Sequence, residues 1–280
     1  MSFLSRMERF DVVGSTNDVV ARWLAEGTPE VALAVADRQT AGRGREARTW
    51  VAPPGAALLV SFGFQPPSMV AADAWRLAAI LAVSVAEAAE SVSGLADGTI
   101  GLKWPNDLVA EDNRGDLRKV AGVLGETSTL DGTVDTAVVG VGLNCDWPAS
   151  EFPRELAATM ASLRQISGRR VDREAILVEL LDPLDRRYRA LRRGDFDADP
   201  WLERQRTNGR WLSVATGDGR LDGRGAGIDP ASGALLVETP GGVVRVGWGE
   251  VVSCRVTRSD AAASSHKSSK PPQPAQPATV

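Results

Sequence analysis

Histidine is almost missing from this sequence of 280 residues: the only one, His266, stands in a run of Ser, Pro, Ala and Gln near the C-terminus. That argues against histidine-assisted nucleophilic catalysis and against metal centres built on imidazole. Cysteine is scarce too. Cys145 and Cys254 are too few for a disulfide framework or a thiolate metal site, and Cys145 needs no reading beyond a small buried residue. No GxxxxGK[ST] occurs, so a P-loop is not available. No apolar run approaches the length of a bilayer span, and the N-terminus lacks a signal-peptide pattern. A cytoplasmic protein without membrane contact is expected. The net charge is −4, so no global basic surface suggests DNA or RNA. The first strand is expected within ten residues of Met1, which leaves no room ahead of it for a DNA-binding module. There is no internal repeat.

Lysine is the most informative scarcity. The chain has 28 arginines and only four lysines: Lys103, Lys119, Lys267 and Lys270. The last two belong to the C-terminal tail, so the folded part keeps lysine at just two places, both inside motifs marked by glycine or proline. Lysine is a compact, flexible point charge that can sit between two anions, whereas arginine is a planar fork.

What is present reads as an ordinary soluble chain, 43% hydrophobic and 24% charged, long enough for a large and a smaller domain. "ERFDVVGSTNDVVARWLAEG" gives a short strand and a helix capped at Ser15 or Thr16 and closed by Gly27. "VALAVADRQT" and "AALLVSFGF" are strands, and a helix follows from about Ala71 to Ser91, closed by Gly94. "TIGLKWPNDLVA", "RKVAGVLGETS" and "VDTAVVGVGLNCDWP" are strands joined by the turns "EDNRGD" and "LDGT". An amphipathic helix covers residues 172–192, and a further helical segment surrounds Trp201. The layout is α+β: a mixed, largely antiparallel sheet with helices on one face, over residues 1–207. From Arg210 short β-runs split by glycines predict a small barrel over residues 208–258. Residues 259–280 are expected to be disordered.

Four stretches carry chemistry: "GSTN" (14–17), "QTAGRGREARTW" (39–50), "KWPND" (103–107) and "KVAGVLGE…GVGLN" (119–144). They supply hydroxyls and amides, a pliable cationic loop, two lysines, a carboxylate and glycines on strands. Each has a bland reading. Ser15 and Thr16 suit a helix cap, Trp50 and Trp104 suit packing, Gly140 and Gly142 suit a bulge, and the arginines suit a solvated patch. Taken together they fit the attack of one bound anion on another, where the protein contributes positioning and electrostatic stabilisation. A divalent cation would neutralise a triphosphate, and Asp107 is a suitable oxygen ligand.

The ordered set "STN", "GRGR…R.W", "KWPND", "K.AG.L.E", "G.G.N" closely resembles the biotin protein ligases over about residues 7–256. The resemblance implies a class II synthetase-like catalytic domain with a small SH3-like β-barrel. It implies ATP and Mg²⁺ as cofactors, and biotin and a biotin carboxyl carrier domain as substrates. A homodimer is compatible with it. Ser15, Thr16, Asn17 and Gln39 would meet the ureido ring of biotin, beside Gly42 and the backbone at Arg43. Gly122, Leu124 and Gly140 would line its pocket. Arg43, Arg45 and Arg48 would order over the adenylate, with Arg45 nearest the phosphate and Trp50 beside adenine. Lys119 would bridge biotin's carboxylate and the α-phosphate. Lys103, Asn106, Asp107, Gly142 and Asn144 would serve the nucleotide, with Asp107 as metal ligand or base in the transfer step. The nearest alternatives are a lipoate or octanoate ligase or transferase of the same fold and a non-catalytic binding protein. The ligases' loop usually continues with a basic residue and glycine where this chain has Glu46 and Ala47, which implies looser retention of the adenylate.

Overall fold

The computed structural model describes residues 3–46 and 48–255. Ala47, His266, Lys267, Lys270 and the tail expected to be disordered lie outside the described residues. The chain runs β1 (Arg6–Val13), α1 (Thr16–Ala25), β2 (Ala32–Gln39), β3 (Ala57–Phe64), α2 (Trp75–Ser93), β4 (Gly101–Lys103), β5 (Asp107–Glu111), β6 (Leu117–Leu130) and β7 (Thr133–Asn144). The helices α3 (Leu163–Ser167), α4 (Arg173–Arg192) and α5 (Asp199–Glu203) follow. The strands form one sheet in the order β1-β2-β3-β7-β6-β5-β4. Only β1 and β2 run parallel, so the sheet is mixed and largely antiparallel, as the sequence predicts.

Strand alternation decides what each face of this sheet does. On β2 and β3, Leu33, Val35, Leu58, Val60, Phe62 and Phe64 share a cluster with α2 and α4. Burial of each of these large side chains contributes about 1.5–3 kcal/mol. Most of the intervening residues are small: Ala32 and Ala34 pack with Val19, Val20, Trp23 and Leu24 of α1. The expectation of helices on one face therefore holds for α2 and α4, whereas α1 lies on the other. The physical reason is at Gly63, where a Cβ would come within 2.5 Å of Val20: the small residues make room for α1. Two boundaries also differ from expectation. Residues Ala71–Asp73 wind as a 3₁₀ turn before α2. "TIGLKWPNDLVA" is a hairpin rather than one strand, turning at Trp104–Asn106 so that Asp107 pairs across to Gly122.

The C-terminal lobe is a five-stranded antiparallel sheet of β8 (Trp211–Thr216), β9 (Gly219–Ile228), β10 (Leu235–Thr239), β11 (Gly242–Val246) and β12 (Glu250–Arg255), in the order β11-β10-β9-β8-β12. Its core residues Leu212, Val214, Leu235 and Val251 belong to the same apolar cluster as the large sheet. Trp104 Nε1 donates to Gly233 O at 3.0 Å, and Arg210 pairs with Glu111 at 2.8 Å. The small lobe thus rests on the β4–β5 hairpin.

That hairpin is anchored from behind by a buried ion pair. Glu90 on α2 is 1% exposed and accepts from both Nη atoms of Arg204 at 2.9 Å. It also accepts the Ile100 N–H at 2.7 Å. Removing one partner strands the other charge in the core. Glu90→Ala is expected to lower stability by about 3–5 kcal/mol, read as a shifted denaturation midpoint at unchanged slope; a shift below about 1 kcal/mol would show the pair to be dispensable.

Candidate active site

The face of the large sheet beyond α1 is floored by glycines. On β7 the alternation "GVGLN" sends Val141 and Leu143 into the core and leaves Gly140, Gly142 and Asn144 on the other face. Cross-strand pairing sets Gly140 beside Leu124 and Gly142 beside Gly122. A groove results, and over it close the described residues of the segment joining β2 to β3, 40–46 and 48–56. The cavity between them holds about 500 Å³, a size suited to a small-molecule substrate. Every site residue expected from the sequence lines it except Gly42. Gly42 instead closes the base of the loop, accepting from Trp50 N at 2.9 Å. A Cβ there would lie 2.7 Å from Trp50 O, which explains the glycine without a place in the wall.

Three regions follow one another along β7. At Gly140 the wall is neutral and polar. Thr16 donates its N–H and hydroxyl to Gln39 Oε1 at 2.7 and 3.0 Å. Ser61 Oγ lies 2.7 Å from Thr16 Oγ1 and 2.6 Å from Asn17 Oδ1. Asn17 Nδ2 donates to Glu126 at 2.7 Å. Three oxygen–oxygen contacts here share two hydroxyl protons, which leaves an acceptor for an incoming N–H. Ser15 occupies the cap position of α1, yet its side chain makes no capping hydrogen bond.

At Gly142 and Gly122 the wall becomes cationic. Lys119 Nζ pairs with Asp107 Oδ1 at 2.6 Å and lies 5.6 Å from the Trp50 ring centroid. The Trp50 indole covers the strand backbone so closely that a Cβ on Gly142 would come within 2.3 Å of it. Asn106 donates Nδ2 to Val123 O at 2.9 Å, pinning the β4–β5 turn onto β6. At the far end Asn144 gives Nδ2 to Ala161 O at 3.0 Å. Its Oδ1 and the Trp50 Nε1 are buried without a partner among the described residues.

The arginine loop is tied down at two ends. At its base Arg43 bonds Asp18 at 2.9 and 2.7 Å and Glu126 at 3.0 and 3.1 Å. At its tip Arg45 donates to Gly249 O at 3.0 Å and sits over Trp248, and Arg48 bonds Glu250 of β12. Glu46 pairs with Arg48 at 3.5 Å and takes the left-handed conformation, φ 53°, where glycine is at ease and most side chains are strained. The arginines hold the carboxyls of Asp18 and Glu250 below the usual carboxylate range. Both contacts therefore persist at neutral pH and weaken only as the pH falls through those lowered values.

Several residues that line the cavity or hold its lining in place lay beyond the sequence reading. Ser61 had a signal, as the lone hydroxyl in an otherwise apolar strand core. Glu126 ends the quoted "KVAGVLGE" and Asp18 follows "STN", but neither carried a role. Glu250 and the wall at Trp147, Leu156 and Met160 had none, because only the tertiary fold brings them to the loop. Gly140→Ala tests the tightest contact: its Cβ would sit 2.2 Å from Asn17 Oδ1. Displacing Asn17 is expected to cost about 1–3 kcal/mol of stability, measured by chemical denaturation; a neutral substitution would contradict the close approach.

Comparison with known proteins points the same way. Residues 10–144 match the biotin/lipoate A/B protein ligase family. The biotin–[acetyl-CoA-carboxylase] ligase of Mycobacterium tuberculosis is 31% identical over 258 residues, covering 90% of this chain and 91% of that one. The bifunctional ligase/repressor BirA of Bacillus spizizenii is 30% identical over 238 residues, covering 84% and 70% respectively. Among solved structures, the biotin protein ligase from Aquifex aeolicus in complex with biotin and ATP superposes with a TM-score of 0.71 at 27% identity, covering 92% of this chain and all of that one. A glycine-floored groove, a lysine at its centre and a tethered arginine loop thus sit on a fold and sequence shared with these ligases, and the chain belongs to the biotin/lipoate A/B protein ligase family.

Proposed function

We propose that this chain is an ATP-dependent ligase that converts biotin to biotinyl-5′-AMP and passes the biotinyl group to a lysine of a biotin carboxyl carrier domain. The observation that carries the reading is the place of Lys119. It stands where Gly122 and Gly142 meet, between a neutral hydrogen-bonding end and the end at Asn144 with its unpartnered acceptor. A ureido ring suits the first end, since its N–H groups complete the chain of Thr16, Ser61 and Asn17. An adenine amine suits Asn144 Oδ1. The carboxylate and the α-phosphate then meet beside Lys119, a point charge that serves both.

In the first step a carboxylate oxygen of biotin bonds to the α-phosphorus as the bond to the bridging oxygen of the β-phosphate breaks, and pyrophosphate leaves. Lys119, Arg45 and Arg48 supply positive charge where charge accumulates. Mg²⁺ bound with the triphosphate would neutralise part of that charge. Among the described residues no three His, Cys, Asp or Glu side chains gather as a cage. The donor set instead suits a cation carried by phosphates and met by one carboxylate, Asp107. In the second step the acceptor amine attacks the acyl carbon, AMP leaves and the amine loses its proton. Asp107 lies beside Lys119 to receive it. The loop over the cavity keeps the mixed anhydride from water.

Pyrophosphate release with ATP and Mg²⁺ is expected with biotin and not with lipoate or octanoate. Release with either of the latter would move the chain to the lipoyl branch of its family, and silence with all three would make it a binding protein. Lys119→Arg keeps the charge but replaces a point by a plane; a fall in adenylation of about 10²-fold is expected. Near-normal turnover would show that charge alone suffices.

A further inference from the structure

The three arginines of the loop do not have the same surroundings, and the difference assigns them different work. Arg45 and Arg48 reach across to the small lobe. Arg43 turns back onto the large sheet and is held by two carboxylates at once. Asp18 takes both Nη atoms of the guanidinium, and Glu126 takes Nη2. One cation against two anions leaves the cluster net negative, a poor environment for a phosphate. Glu126 is in turn bonded by Asn17, which reaches it because Gly140 has no side chain. The backbone of Arg43 forms an isolated bridge with Thr49, and Gly44 N donates to Arg48 O at 2.7 Å. Fixing the Arg43 side chain therefore fixes the hinge of the whole loop.

We infer that Asp18, Arg43 and Glu126 form a strap that locks the base of the loop against the neutral end of the cavity, so that Asp18 and Glu126 are positioning residues for biotin retention and Arg43 acts as their anchor rather than as a phosphate ligand. The inference rests on the reading of that end as the biotin site. Asp18 lies on the first turn of α1, whose other residues Thr16 and Asn17 face the same pocket end. Release of the strap loosens the loop where it meets those groups and leaves the nucleotide end, held through Glu250, in place. The guanidinium is bonded by Asp18 and Glu126 more strongly than by any neutral partner, although its half-exposed position limits the effect.

The test combines a ligand-free readout with a kinetic one. Hydrogen exchange of the amides in residues 42–50 is expected to quicken in Asp18→Asn without any ligand; unchanged exchange would overturn the strap itself. In steady-state adenylation, Asp18→Asn is expected to raise KM for biotin about fivefold with kcat and KM for ATP unchanged. Arg43→Gln is expected to raise KM for biotin by the same factor, and the double variant no further, because both changes remove one interaction. An effect of Arg43→Gln on KM for ATP that Asp18→Asn does not share would make Arg43 a phosphate ligand and overturn the inference. Quickened exchange in a protein that does not respond to biotin would leave the strap standing and sink the functional reading instead.

Discussion

Gathering cations into a concave, partly dry cavity is unfavourable unless counter-charges accompany them, and much of the arrangement of this molecule follows from that constraint. Lys119 has Asp107, Arg43 has Asp18 and Glu126, and Arg48 has Glu250 and Glu46. These acids come from α1, β5, β6, β12 and the loop itself, so counter-charge reaches the site from several elements around it. At Lys119 and Arg48 an anionic ligand does not meet a bare cation; it competes with an internal carboxylate at a group already held in position. Preorganisation of this kind is what electrostatic catalysis requires. It also reconciles a net charge of −4 with a pocket built to hold anions.

The second constraint is steric. A period of two along β7 makes one strand serve as core on one face and groove floor on the other. Gly140 and Gly142 are needed because Asn17 and Trp50 lie against the backbone there, closer than any Cβ permits. The same economy appears on β2, where alanines seat α1 and the alternate leucine and valine face α2 and α4. The loop between β2 and β3 is then held at its base by the large sheet and at its tip by the small lobe. The two lobes share an apolar cluster, and the small lobe forms part of the cavity wall through Glu250, Val251, Val252 and Cys254.

Much of this was legible in the sequence. Strand alternation, glycine and proline punctuation and the helix signals located most elements, and the ordered motifs named residues that converge on one cavity. What stayed hidden was tertiary. The side of the sheet taken by α1 depends on which face has room, and the small residues at Ala32, Ala34 and Gly63 show it only once the register with β3 is known. The turn at Trp104–Asn106 carries a Pro-Asn-Asp signal of its own, but the short apolar flanks on either side read as one strand. Gly42 carries a family motif yet works outside the cavity wall. Glu250 belongs to a strand of the other lobe, some 200 positions from its partner Arg48, and no local pattern marks it.

The central claim is that the cavity joins a carboxylate to an α-phosphate and keeps the product covered. The most direct measurement is a single turnover of the purified protein with biotin and ATP radiolabelled at the α-phosphate, in the absence of any carrier, followed by rapid gel filtration and analysis of the bound label. Label that travels with the protein as biotinyl-5′-AMP is the predicted result. Label recovered only as ATP, or as free AMP or ADP, would contradict the account.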